Sequence, residues 1–130
     1  MRKFAAIDIG LKRIGLAISL DGKIVLPQNP IIRKNRNQAA KDVSSFLKDW
    51  NIDALIVGIP IGGSSEDEIR KRVTFFIKLL DFNGEIYFID ESFSSFEAKE
   101  LIKGKMRQKR DGRVDSIAAA LILERFLEKR

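Results

Sequence analysis

The sequence has no cysteine and no histidine among its 130 residues. Without cysteine there is no disulfide and no thiol nucleophile, and without both residues there is no Cys/His zinc site. Without histidine the commonest general base is missing too. Hydrolytic chemistry must then rest on carboxylates, lysine, serine or the single tyrosine, Tyr87. Hard oxygen ligands suit Mg²⁺ or Mn²⁺ rather than zinc or copper. Long apolar runs are also lacking: the longest, 117–123, falls far short of the ~20 residues that a membrane span requires. The opening Met1-Arg2-Lys3-Phe4-Ala5-Ala6-Ile7 has the charge order of a signal peptide, but Asp8 ends its apolar stretch too early. The expected location is the cytosol, with no membrane partner.

What is present is an ordinary globular composition, 45% hydrophobic and 32% charged, of a length that suits one domain over 1–130. No repeat or linker divides it. The net charge of +6 is unevenly spread. Segment 103–113 carries Lys103, Lys105, Arg107, Lys109, Arg110 and Arg113 against Asp111 alone, which leaves little net charge for the rest. Such a basic loop is either solvated surface or the contact for a polyanion, of which a nucleic acid is the obvious kind.

The apolar pattern predicts a strand over 4–9 and a second over 14–19, close enough in sequence to pair as an antiparallel hairpin. Asp21-Gly22 should turn the chain into a third strand over 23–26, after which Pro27 and Pro30 break regular pairing. Ala39, Val43, Phe46, Leu47 and Trp50 recur at helical spacing over 37–50. A fully apolar strand at 54–57 follows, ended by Gly58 and Pro60. Ser65 and Glu68 form a capping box for a helix striped by Ile69, Val73, Phe76, Ile77 and Leu80. A strand over 86–89, a short helix over 94–104 and a last helix over 114–127 complete the chain. Strands joined through helices pair in parallel by right-handed crossovers, and such sheets place their sites at the carboxyl ends of the strands.

Three acids fall at suitable ends. Asp8 closes the first strand, where a buried carboxylate is costly without a cation or hydrogen-bond donor; it could also simply cap the following turn. Glu91 follows an apolar strand and Asp90. Asp115 lies in the first turn of the last helix, where the helix dipole alone would favour an acid. Its face carries Ala118, Ala119 and Ile122, small enough for that helix to lie close to the sheet. Carboxylates gathered in one cleft repel unless cations sit among them, and two-metal phosphodiester hydrolysis needs such a group. Lys12 and Arg13, on the turn beside Asp8, are candidate phosphate contacts or solvated turn residues. Gly10, Gly58 and Gly63 are candidates for close backbone approach or positive φ.

The segment Asp8-Ile9-Gly10-Leu11-Lys12-Arg13-Ile14-Gly15-Leu16-Ala17 resembles the opening signature of the YqgF/RuvX family of RuvC-like nucleases. Gly58-Ile59-Pro60, Asp90-Glu91-Ser92-Phe93-Ser94-Ser95 and Val114-Asp115-Ser116-Ile117-Ala118-Ala119-Ala120 resemble further family segments, in the same order and over nearly the whole chain. The resemblance implies an α/β, RNase H-like (RuvC-like) fold: a mixed five-stranded sheet with an antiparallel first hairpin and helices on both faces. It implies a metal-dependent nuclease with Asp8, Glu91 and Asp115 as catalytic ligands of Mg²⁺ or Mn²⁺. Lys12, Arg13, Lys105, Arg107, Lys109 and Arg110 are then the expected nucleic-acid contacts. Two substrates fit the resemblance, the 5′ end of pre-16S rRNA and the branched DNA of a Holliday junction, and dimers occur in the family. Two departures bear on substrate grip: Ser92 replaces a usual arginine, and the loop 61–64 is short.

Two other classes share features with this chain. An actin-like ATPase opens with a similar Asp-x-Gly hairpin but encloses its nucleotide between two such domains. A binding-only RNA module would keep the basic loop and lose the metal, since fold alone does not fix activity.

Overall fold

In the computed structural model, described for residues 2–10, 12–59, 66–90 and 113–129, eight elements follow one another. They are β1 (Phe4–Ile9), β2 (Arg13–Ser19), β3 (Leu26–Ile32), α1 (Arg36–Asp49), β4 (Ala54–Ile59), α2 (Glu66–Leu79), β5 (Glu85–Asp90) and α3 (Arg113–Glu128). The strands form one sheet in the order β3-β2-β1-β4-β5. β1–β2 and β2–β3 are antiparallel; β1–β4 and β4–β5 are parallel. This is the mixed sheet expected from a hairpin followed by strand–helix–strand crossovers.

Strand alternation sorts the core into two layers. Ala5, Ile7, Ile14, Leu16, Ile18, Leu55 and Val57 face α1 and α2, where Ala39, Val43, Leu47, Val73 and Phe76 complete the layer. Phe4, Ala6, Ala17, Ala54 and Ile56 face α3, packed against Ala119, Ala120, Ile122 and Leu123. The second layer is rich in alanine, so α3 can lie close to the sheet. Helices thus cover both faces.

The third strand corrects the sequence-based expectation. It runs over Leu26–Ile32 and includes both prolines instead of stopping before them. β3 is an edge strand, with one side that needs no ladder partner, so residues without an N–H are tolerated. Pro27 pairs with Ala17, and the register shifts between Ile14↔Ile31 and Leu16↔Gln28, which puts one extra residue of β3 opposite β2 as a bulge at 29–30. Gly58 likewise does not end β4, which continues to Ile59.

Local chemistry fixes the connections. Asp21 Oδ1 accepts from the N–H groups of Lys23 (2.8 Å) and Ile24 (2.9 Å), and Gly22 has φ 78°, so residues 21–24 form a tight turn. Asn35 caps α1 in a reciprocal box with Gln38. Helix α1 ends with Asn51 at φ 53° and Ile52 N–H donating to Leu47 O at 3.0 Å, a left-handed cap whose two bonded residues both belong to the same buried apolar cluster. Asp53 ties together the starts of three parallel strands: its N–H donates to Lys3 O, its Oδ2 accepts from Lys3 N–H, and its carbonyl accepts from Glu85 N–H. With their starts held level, β1, β4 and β5 end level as well.

Candidate active site at the carboxyl edge of the sheet

Asp8 sits where the parallel strands end. Ile7 is level with Val57 of β4, and Val57 with Phe88 of β5; Ile59 pairs with Asp90. By alternation Asp8 shares its face with Phe4 and Ala6, the face covered by α3. It is half-buried, and among the described residues its carboxylate has neither a hydrogen bond nor an ion pair. Among the described residues no turn N–H donates to it, and the N–H of Gly10 donates to Arg13 O at 2.9 Å.

The start of α3 is brought to the same place. Asp8 pairs with Gly15 across the hairpin, and the next residue, Leu16, donates its N–H to Ser116 Oγ at 3.4 Å. The bond falls at the register shift between β2 and β3, where regular pairing lapses. Ser116 is fully buried, and Asp115 precedes it as the third residue of α3. Sequence places Asp115 beside Ser116; the fold places Ser116 one residue from the partner of Asp8.

The hairpin beside Asp8 is held from one side by Arg33. Its backbone N–H donates to Lys12 O at 2.8 Å, its Nη1 donates to Gly10 O at 3.0 Å, and its guanidinium lies 5.7 Å from the centre of the buried Phe76 ring. Gly10 itself cannot be replaced without moving the turn, since a Cβ there would stand 2.7 Å from Arg13 O. Lys12 and Arg13 are exposed on this turn and make no ion pair among the described residues.

Sequence reasoning missed Arg33 and Ser116. An arginine in a polar connection looks solvated, and nothing local marks the carbonyl it reaches. A serine within an apolar helix face gives a weak signal, a polar group that must find a buried partner.

Glu91, Lys105, Arg107, Lys109 and Arg110 lie outside the described residues, as do Ser92, the loop 61–64, Gly63 and the short helix expected over 94–104. Concavities of about 360 Å³ lie between α1 and the end of α2, and between the β2–β3 turn and the end of α3; Asp8 lines neither. No described helix is long and apolar enough to cross a membrane.

Comparison with known proteins agrees with this fold. Residues 2–129 match the family model described as RuvX: Holliday junction resolvase. A protein of Sulfurovum sp. (strain NBC37-1) is 59% identical over 125 residues, covering 96% of this chain and 98% of its own. One of Campylobacter lari is 54% identical over 124 residues, covering 95% and 96%. Both bear the name "Putative pre-16S rRNA nuclease". Among solved structures, Thermus thermophilus RuvC in complex with a Holliday junction substrate superposes with a TM-score of 0.60 at 14% identity, over 99% of this chain and 96% of that one. The fowlpox virus Holliday junction resolvase gives 0.57 at 17% identity, over 98% and 99%. At such identities the structures speak for the RuvC-like fold alone, whereas the family match spans the described sheet and all of its helices. The chain belongs to the RuvX family.

Proposed function

We propose that this chain is a cytoplasmic, metal-dependent endonuclease that hydrolyses phosphodiester bonds of structured nucleic acid, with the 5′ end of pre-16S rRNA as its substrate. The observation that carries this reading is Asp8: a half-buried carboxylate, unpartnered among the described residues, at the end of a parallel strand and next to the start of α3. A carboxylate in that setting is stabilised by a cation.

Asp8, Glu91 and Asp115 are assigned as ligands of Mg²⁺ or Mn²⁺. Their oxygen donors fit hard divalent ions, and the chain holds no histidine or cysteine to favour another metal. When bound, such ions supply an activated water and stabilise the leaving oxygen. Glu91 is next in sequence after Asp90, the last residue of β5, which pairs with Ile59 at the end of β4. Lys12 and Arg13 beside Asp8 are assigned to phosphates flanking the scissile bond, contacts that position the backbone without reading bases.

The rRNA substrate is preferred because relatives about half identical over nearly their whole length bear that name. Junction cleavage is the second reading, favoured by the description of the family model. The test is cleavage of a pre-16S rRNA fragment and of a four-way DNA junction with Mg²⁺ or Mn²⁺, alongside EDTA and Asp8→Asn, with light scattering on the same sample to detect a homodimer. Cleavage of the RNA that is lost with EDTA and in Asp8→Asn is expected. Undiminished activity in either control overturns the metal assignment, and cleavage of the junction alone selects the second reading.

A further inference from the structure

The junction between β3 and α1 carries a concentration of positive charge that the nuclease reading does not use. Arg33, Lys34 and Arg36 follow one another there, and no acid occurs between Asp21 and Asp42. Hydrogen bonding joins this junction to the hairpin that bears Lys12 and Arg13, through Arg33 N–H to Lys12 O and the pairing of Arg13 with Ile32. Lys12, Arg13, Lys34 and Arg36 are exposed, and none makes an ion pair among the described residues.

These cations do not serve the helix they precede. Arg36 is its first residue, no acid occurs in the first turn, and positive charge at a helix N-terminus opposes the helix dipole. The amide of Gln38 is already satisfied by the Asn35 cap. Arg36 instead lies over the ring of Phe75 on α2, 4.7 Å from its centre, and that ring is 50% exposed. Lys71 and Arg72, four and three residues before Phe75, are exposed neighbours on the same side of α2. Cations around an exposed aromatic ring form the surface on which a single strand is held, by phosphate contacts and by stacking of a base.

We propose that the β3–α1 junction is a second nucleic-acid contact, in which Lys34 and Arg36 hold phosphates of a single-stranded stretch of substrate and Phe75 receives a base. The contact rests on the reading of the chain as a nuclease and adds to it the kind of strand that leaves the site on the hairpin side.

The test is binding of labelled single-stranded RNA and of an RNA duplex at several salt concentrations, in EDTA so that metal chemistry plays no part. Lys34→Ala with Arg36→Ala should flatten the log–log salt slope for the single strand by about 1.4, at about 0.7 for each lost phosphate contact. The glutamine pair, Lys34→Gln with Arg36→Gln, should do the same while keeping side-chain length. Phe75→Ala should weaken single-strand binding roughly tenfold, leaving the slope and duplex binding unchanged. All three side chains are exposed, and thermal melting verifies that the variants fold. An unchanged slope in both double variants overturns the contact, and unchanged single-strand affinity in Phe75→Ala overturns the single-strand assignment. Failure of the wild type to cleave any RNA with Mg²⁺ would remove the nuclease reading without altering these slopes, so the two failures are distinguishable.

Discussion

Leu16 and Ser116, 100 residues apart in sequence, share a buried hydrogen bond from the strand N–H to the helix hydroxyl. It joins the element that pairs with Asp8 to the turn that carries Asp115. Ser116→Ala would leave the Leu16 N–H buried without its partner, at a cost of about 1–3 kcal/mol. Urea denaturation should show that loss. Cleavage by the folded variant should fall by roughly tenfold or more, because a small displacement of one ligand degrades the alignment of reacting groups. Wild-type activity in a destabilised Ser116→Ala would show that the bond serves stability alone.

Divalent ions should stabilise the fold through Asp8. A ligand that binds only the folded chain raises its stability in proportion to the logarithm of ligand concentration over its dissociation constant. The melting temperature of the wild type should therefore climb with Mn²⁺ concentration, and that of Asp8→Asn should not. In EDTA the variant should melt no lower than the wild type, since it removes a half-buried charge that lacks a protein partner among the described residues. An equal Mn²⁺ response in both proteins would place the ion elsewhere.

Acid should weaken the fold through three exposed carboxylates. Hydrogen bonds from the N–H groups of Ile24 and Lys23 hold Asp21 below its ordinary range. Lys48 does the same for Asp81, and the Tyr87 hydroxyl and Arg2 do so for Glu85. Each shift is downward, so each contribution is present above the unfolded value, about pH 4, and is lost as pH falls through the folded value. Asp21→Asn keeps an acceptor oxygen for the turn but cannot titrate. Its stability should fall less steeply below about pH 4 than that of the wild type. Denaturation midpoints across that range check this, and parallel curves would mean that the Asp21 turn opens without consequence for folding.

Much of this was legible in the chain because the apolar runs are short and sharply bounded. The strand read over 4–9 matches β1, and an antiparallel hairpin follows from the few residues separating it from β2. The third strand was not legible: proline reads as a breaker until one knows that β3 lies at the edge of the sheet. Asp8 stood out because a charge closes an apolar strand. Arg33 did not, since its partner, the carbonyl of Gly10, lies 23 residues away and belongs to the backbone, which leaves no mark in the side-chain pattern.

The basic loop gives a prediction of its own. Lys105, Arg107, Lys109 and Arg110 changed together to Ala should weaken binding to RNA and junction DNA alike, and should flatten the salt dependence by about 0.9 per contact on a duplex. Cleavage at saturating substrate should be much less affected, because phosphate contacts position and do not react. Titration against both nucleic acids at several salt concentrations checks this. Loss confined to one sequence would make the loop a reader of bases.

Helix α3 is the last described element, yet its residues close the apolar layer over Phe4, Ala6, Ala17 and Ile56, which are made much earlier. During synthesis that face of the sheet stays bare until the helix emerges, and the proposed ligand Asp115 arrives with it. A chain stopped short of α3 would lack both the cover and the ligand. Cutting power would then come into being only once α3 has been made, and fragments that stop short of it would be inert as nucleases while exposing an apolar, aggregation-prone surface.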